Sequence, residues 1–100
     1  MAKRSDNNQS SIMDDLRKMG YSVESTHTLG KGRPDIIVGK YGFNFWIEIK
    51  NPEAAPADRK LTSDEQDWHA EWKGHKFVGH TSKEIHKHIT EFIKFARVMG

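Results

Sequence analysis

Cysteine is absent from this 100-residue chain. That excludes disulfides, thiolate metal sites and thiol nucleophiles, and it favours a reducing, intracellular setting. Proline is scarce, and two of the three, Pro52 and Pro56, fall in one short stretch. Long apolar runs are missing, so no segment reads as a membrane span. The first residues are polar with no apolar run behind them, which predicts a cytoplasmic protein without a signal peptide. A strong excess of one charge is also lacking. Lys and Arg number 16 against 14 Asp and Glu. A net charge of +2 permits a nucleic-acid partner without requiring one.

What is present suits one small domain. The apolar share is a lean 35%, but three Trp and five Phe supply large buried areas. Residues 1–8 read as a flexible polar lead-in, and residues 9–100 as a single domain. Ile12, Leu16 and Met19 recur at helical spacing, and Gly20 is placed to close that helix. Tyr21 to Leu29 reads as a strand, and Gly30 to Pro34 as a loop. Asp35 to Gly39 reads as a short apolar strand, and residues 40–44 turn the chain back. Phe45 to Lys50 alternates cleanly, with Phe45, Ile47 and Ile49 on one face and Trp46, Glu48 and Lys50 on the other.

Residues 51–60 carry no periodicity and read as a mobile loop. Thr62 with Glu65, or Ser63 with Gln66, makes a capping box that opens a helix running to Lys73. Lys76 to His80 reads as a strand. Thr81 to Glu84 opens a last helix with Ile85, Ile89, Phe92, Ile93 and Ala96 on one face. The order α-β-β-β-α-β-α predicts an α/β fold. An antiparallel meander is joined by a fourth strand that returns in parallel through a helix, with helices flanking the sheet.

Glu48 and Lys50 are two apart on a strand and emerge on one face. If helices cover both faces, burying them is costly unless they are paired or hold a metal. Asp35 opens the preceding strand, and a hairpin joining the two strands brings it near Glu48. Asp35, Glu48 and the backbone carbonyl of Ile49 then offer hard oxygen ligands to Mg²⁺ or Mn²⁺. Lys50 stands where it can orient a water or neutralise developing charge. This is minimal equipment for hydrolysing a phosphodiester. The plainer alternative is a solvated strand face with a cross-strand Lys–Glu pair.

Lys31 and Arg33 precede Asp35 and are suited to phosphate contact. Lys40, Arg59 and Lys60 extend this to a basic rim, against the alternative of ordinary solvated loops. Trp68 and Trp72 either anchor their helix to the sheet, form a dimer contact or stack on bases. Trp46 shares its face with Glu48 and Lys50, as a site wall or as packing. Six histidines show no zinc-ligand spacing.

Three ordered segments carry a resemblance. Gly32-Arg33-Pro34-Asp35-Ile36-Ile37-Val38-Gly39, Phe45-Trp46-Ile47-Glu48-Ile49-Lys50 and Leu61-Thr62-Ser63-Asp64-Glu65-Gln66 resemble the PD-(D/E)xK nuclease superfamily. Within it they are similar to the stand-alone, phage-type virus-type replication-repair nuclease (VRR-NUC) domain, over roughly residues 9–90. The resemblance implies a restriction-endonuclease-like αβββαβ core with a C-terminal helix. It implies a Mg²⁺- or Mn²⁺-dependent endonuclease on branched or flapped DNA, similar to Holliday junction resolvases, working as a homodimer, with no membrane and no small-molecule cofactor. By position it makes Asp35 and Glu48 metal ligands, Lys50 the catalytic lysine and Gln66 a helper beside the site. Where the superfamily often carries a first-helix glutamate, spacing from Gly20 puts Gln9, with Asp15 as the substitute. The rival expectations are a non-catalytic DNA-binding module of the same fold and a nuclease subunit active only within a larger complex.

Overall fold

A computed structural model describes residues 3–100, with side chains from Asn8 onward. The sequence contains no glycine or proline between residues 3 and 18, so nothing stops a helix there. Helix α1 accordingly spans Lys3–Lys18. The expected polar lead-in is therefore helical from Lys3, and its first two residues lie outside the described ones. Ile12, Met13 and Leu16 bury one face of α1, whereas Met19 lies beyond the helix and is exposed. Gly20 closes α1, with the Tyr21 N–H donating to the Leu16 carbonyl at 3.1 Å.

Strand β1 (Ser22–Ser25) is shorter than the periodicity suggests. Thr26 ends it by turning its polar groups onto the chain ahead: its N–H donates to the Asp35 carbonyl (2.8 Å) and its hydroxyl to the Pro34 carbonyl (2.7 Å). A 3-10 turn, His27–Leu29, follows in place of the predicted strand end. Strands β2 (Ile36–Lys40) and β3 (Phe43–Ile49) form the hairpin, with Ile36 opposite Ile47 and Val38 opposite Phe45.

The loop after β3 contains one helical turn, α2 (Pro56–Arg59), which starts where Pro56 supplies a pre-set φ. Helix α3 (Ser63–Glu71) opens on the complete capping box of Thr62 and Glu65. Strand β4 (Lys76–Gly79) and helix α4 (Ser82–Met99) finish the fold.

The sheet order is β1-β2-β3-β4, antiparallel twice and then parallel between β3 and β4. This is the α/β arrangement expected, a mixed sheet flanked by helices. Its core lies on one face, where Val23, Ile36, Val38, Phe45 and Ile47 meet Ile12 and Leu16 of α1 and Ile85, Ile89 and Ile93 of α4. The other face is covered differently. Helix α3 buries no residue fully and lies on the sheet through aromatic contacts. Trp68 and Trp72 stack with centroids 5.0 Å apart, and both meet Trp46 edge-on. They thus anchor the helix to the sheet. No described helix is long and apolar enough to cross a membrane.

One close approach fixes where α3 begins. Gly32 has φ +80, and a Cβ there would collide with the Asp64 carbonyl and approach the Glu65 nitrogen at 2.9 Å. Gly42 has φ +86 but open space around it. Gly42→Ala is expected to cost about 1–2 kcal/mol for the left-handed backbone alone. Gly32→Ala should cost about 1–3 kcal/mol more for the clash, read as the difference in urea midpoint between the variants.

Candidate functional site

The meander brings the start of β2 against the end of β3. Asp35 sits one residue before β2, and its Oδ2 accepts the Ile49 N–H at 2.8 Å. That bond closes the ladder end and holds the carboxylate beside Glu48. Glu48 lies on the face opposite Phe45 and Ile47, and is only 3% exposed. Its Oε1 is buried and has no hydrogen-bond partner. The Lys50 N–H donates to the Gly79 carbonyl at 3.0 Å, so the parallel partner strand fixes the backbone from which the lysine projects. Its Nζ stands 3.8 Å from Glu48 Oε2 and 2.9 Å from Glu65 Oε1.

These groups floor a cavity of about 610 Å³. Asn8 and Gln9 of α1 and His27 of the 3-10 turn line one side, and Asn51, Glu53 and Asp58 of the following loop line another. Among the described lining residues Lys50 is the only Lys or Arg, against five Asp and Glu side chains (Asp35, Glu48, Glu53, Asp58 and Glu65). The cavity therefore favours cations.

Burial raises the Glu48 carboxyl to about 9; the charge of Asp35, a hydrogen bond shared with it and then the charge of Glu65 add to the effect, and Lys50 opposes it. Burial pulls the Lys50 ammonium down, but its bond to Glu65 and the charges of Glu65, Glu48 and Asp35 prevail and hold it above its ordinary value. Burial works against the Glu65 carboxylate. The Lys50 bond and the Thr62 N–H nonetheless leave it below the usual range.

Asp35, Glu48, Ile49, Lys50 and Gln9 all line the cavity, as the sequence led one to expect. Gln9 turns its amide toward Ser25 Oγ at 3.5 Å. Other expected residues lie elsewhere. Gln66 is exposed and donates to the Leu61 carbonyl at 3.1 Å, because the helix start turns Glu65, not Gln66, back toward the sheet. Asp15 accepts a bond from the Ser82 hydroxyl at 2.8 Å, tying α1 to the start of α4. Lys40 is at the far end of β2, where it donates to the Met19 carbonyl at 2.9 Å and lies over the Tyr21 ring. Lys31, Arg33, Arg59 and Lys60 are exposed and do not line the cavity.

Glu65 and His27 are the residues that sequence reasoning missed. The signal for Glu65 was the capping box, which aims that side chain backwards. His27, whose Nδ1 lies 3.7 Å from Asp35 Oδ1, had no signal, because the Thr26–Pro34 closure brings it there.

Among the described residues, no three His, Cys, Asp or Glu side chains stand together as a metal-holding group. The available set is the carboxyl groups of Asp35 and Glu48, with Ile49 also lining the cavity. It fits Mg²⁺ or Mn²⁺, because Mg²⁺ is commonly held by one or two carboxylates and keeps several waters. Glu48 Oε1, which no N–H or hydroxyl reaches, is the ligand atom that deprotonation would free for such an ion. No family model matches the chain, and neither the curated proteins nor the solved structures yielded a match.

The Glu48 shift sets a pH dependence. The ordinary value is 4.5 and the folded value about 9, so the folded protein holds a proton that the unfolded chain releases. Stability from this group is fully present below pH 4.5 and is lost as pH rises toward 9, by at most about 1.4 kcal/mol per pH unit. In metal-free buffer with chelator, the denaturation midpoint should fall from pH 5 to 9. Glu48→Gln should flatten that slope, and parallel slopes for the two proteins would count against a protonated Glu48.

Proposed function

We propose that this chain is a divalent-metal-dependent DNA endonuclease that hydrolyses phosphodiester bonds in branched or flapped duplexes. The observation that carries this reading is the buried Glu48, with one unpartnered oxygen, between Asp35 and Lys50 on the floor of an open acidic cavity. A plain solvated strand face does not account for it. The burial of an acid without a partner for one oxygen is costly, and such groups persist where they serve a ligand. The α/β order with a mixed sheet is compatible with the nuclease core that the sequence motifs suggest.

In this reading Asp35 and Glu48 hold Mg²⁺ or Mn²⁺, with the Ile49 carbonyl beside them. The bound ion supplies Lewis-acid polarisation of the scissile phosphate and a more acidic water. Asp35 is kept in place by the Ile49 N–H, so the ladder end orients one of its oxygens and leaves the other for the ion. Lys50 carries the positive charge that neutralises charge developing on the phosphoryl group. Its ammonium also offers hydrogen bonds that orient an attacking water. Lys31 and Arg33, on the exposed loop that packs on α3, would contact phosphates outside the cavity, and Arg59 and Lys60 would extend that contact. A homodimer fits a four-way junction, since a two-fold axis presents two sites to two symmetric strands.

The second reading is a DNA-binding module of the same fold that does not cut. It is favoured by Gln9, an amide at the cavity wall where a carboxylate would add a ligand. A cleavage panel separates the two: nicked flap, four-way junction and linear duplex, with Mg²⁺, Mn²⁺ or chelator, alongside calorimetric titration with Mn²⁺. Cutting of branched DNA that chelator abolishes supports the endonuclease. Neither Mn²⁺ binding nor cutting at excess protein sinks it.

Asp35→Asn keeps an acceptor for the Ile49 N–H while weakening the metal site. Together with Lys50→Ala it is expected to lower cleavage by about a hundredfold or more, with an unchanged circular dichroism spectrum. Retained cleavage by either variant would put the site elsewhere. Gln9→Glu should strengthen Mn²⁺ binding, whereas unchanged affinity would mean that Gln9 does not face the ion.

A further inference from the structure

Lys50 has two carboxylates within reach and bonds one of them. Glu65 Oε1 lies 2.9 Å from its Nζ, whereas Glu48 Oε2 lies 3.8 Å away. The same Glu65 oxygen accepts the Thr62 backbone N–H at 2.9 Å, the reciprocal half of the α3 capping box. The Glu65 N–H in turn donates to the Thr62 hydroxyl at 3.2 Å. The Gly32 loop packs against the backbone of Asp64 and Glu65, leaving no room for that turn to shift toward it. Two hydrogen bonds thus converge on one carboxylate oxygen, and two further contacts hold the backbone of the turn that bears it.

We infer that Glu65 is the positioning residue for Lys50, and that the cap of α3, rather than the strand bearing the lysine, sets where the ammonium stands. The inference rests on the endonuclease reading for its catalytic meaning, although the contact itself does not. A lysine side chain has four rotatable carbons and three donors, so a strand backbone alone leaves its head free over several ångströms. Without Glu65 the nearest acceptor is the Glu48 carboxyl, 3.8 Å away, and the ammonium would collapse onto a residue proposed to hold the ion. Glu65 therefore does two things for Lys50. It fixes the head beside the cavity, and it draws the head away from Glu48. It needs no contact with substrate to do either.

Glu65→Gln is the discriminating variant. A glutamine at the third helical position still completes a capping box, so the helix start is kept while the ionic hold on Lys50 is removed. Two measurements are made on wild type and variant. The first is the ¹⁵N-lysine ammonium spectrum, with the Lys50 signal assigned by its loss in Lys50→Ala. The expected result is a Lys50 signal protected from solvent exchange in wild type and lost in Glu65→Gln. The second is cleavage of branched DNA with Mn²⁺, alongside calorimetric Mn²⁺ binding. Here kcat is expected to fall about ten- to a hundredfold with KM for DNA and Mn²⁺ affinity unchanged, the pattern of a misplaced group rather than a lost ligand.

A Lys50 signal that stays protected in Glu65→Gln overturns the inference. So does a loss of Mn²⁺ affinity, which would make Glu65 a metal ligand. A wild-type chain that cuts nothing but shows the expected change in the Lys50 signal removes the endonuclease reading and leaves the positioning contact standing.

Discussion

Glu48 is a carboxyl group buried in the middle of a sheet, and the arrangement around it answers that one constraint. The opposite face of its strand is committed to the core through Phe45 and Ile47, so the residue cannot be turned toward water without turning those two out of the core. A register shift is equally closed, because Ile36 and Val38 pair with Ile47 and Phe45 on the same core face. The acid must therefore be neutralised where it stands. Lys50 supplies part of the compensation, and protonation supplies the rest while no cation is present. The hairpin brings Asp35 to the same end of the sheet, which makes the burial worse electrostatically. An arrangement that costs stability in the isolated chain is one that the proposed cation would relieve.

The two faces of the sheet are built on different principles. One is held by a contiguous apolar cluster contributed by α1, α4 and strands β1, β2 and β3. The other is held by three tryptophans and a helix cap. The cavity opens at the junction between these two regimes. Groups attached to the strands (Asp35, Glu48 and Ile49) are placed by the stiff face, and Glu65 is placed by the lighter one. Lys50 belongs to both, anchored by its backbone to β4 and by its side chain to α3.

Much of this was legible in the residues. The alternation from Phe45 to Lys50 put Glu48 and Lys50 on one face. The short turn before it predicted the hairpin, and the helical return before β4 predicted parallel pairing. These signals are strong because they arise from short-range periodicity with one face apolar. What could not be read was the placement of side chains that depend on loop closure. His27 reaches Asp35 only because Thr26 folds back onto Pro34 and Asp35. Lys40 looked like a neighbour of the site in sequence, yet it lies a full strand length away, beside Met19. Gln66 and Glu65 differ by one position, and on a helix one position is about a hundred degrees of rotation. A motif match fixes position only to the nearest residue, whereas the hydrogen bonds of a cap fix direction.

The light attachment of α3 carries a consequence for the energy landscape of the chain. A helix with no fully buried residue, held by ring contacts, its cap, the Gly32 loop and the Lys50 bond, is expected to open at a lower free energy than the sheet and its core. Its amides are expected to exchange with solvent through sub-global opening, while those of β2 and β3 wait for complete unfolding. In such an opened state the chain keeps its sheet, its core and the Asp35–Glu48 pair, but Glu65 departs. The population of chains that are folded and the population in which Lys50 is held by Glu65 are then two different numbers, and warming is expected to separate them before it melts the protein.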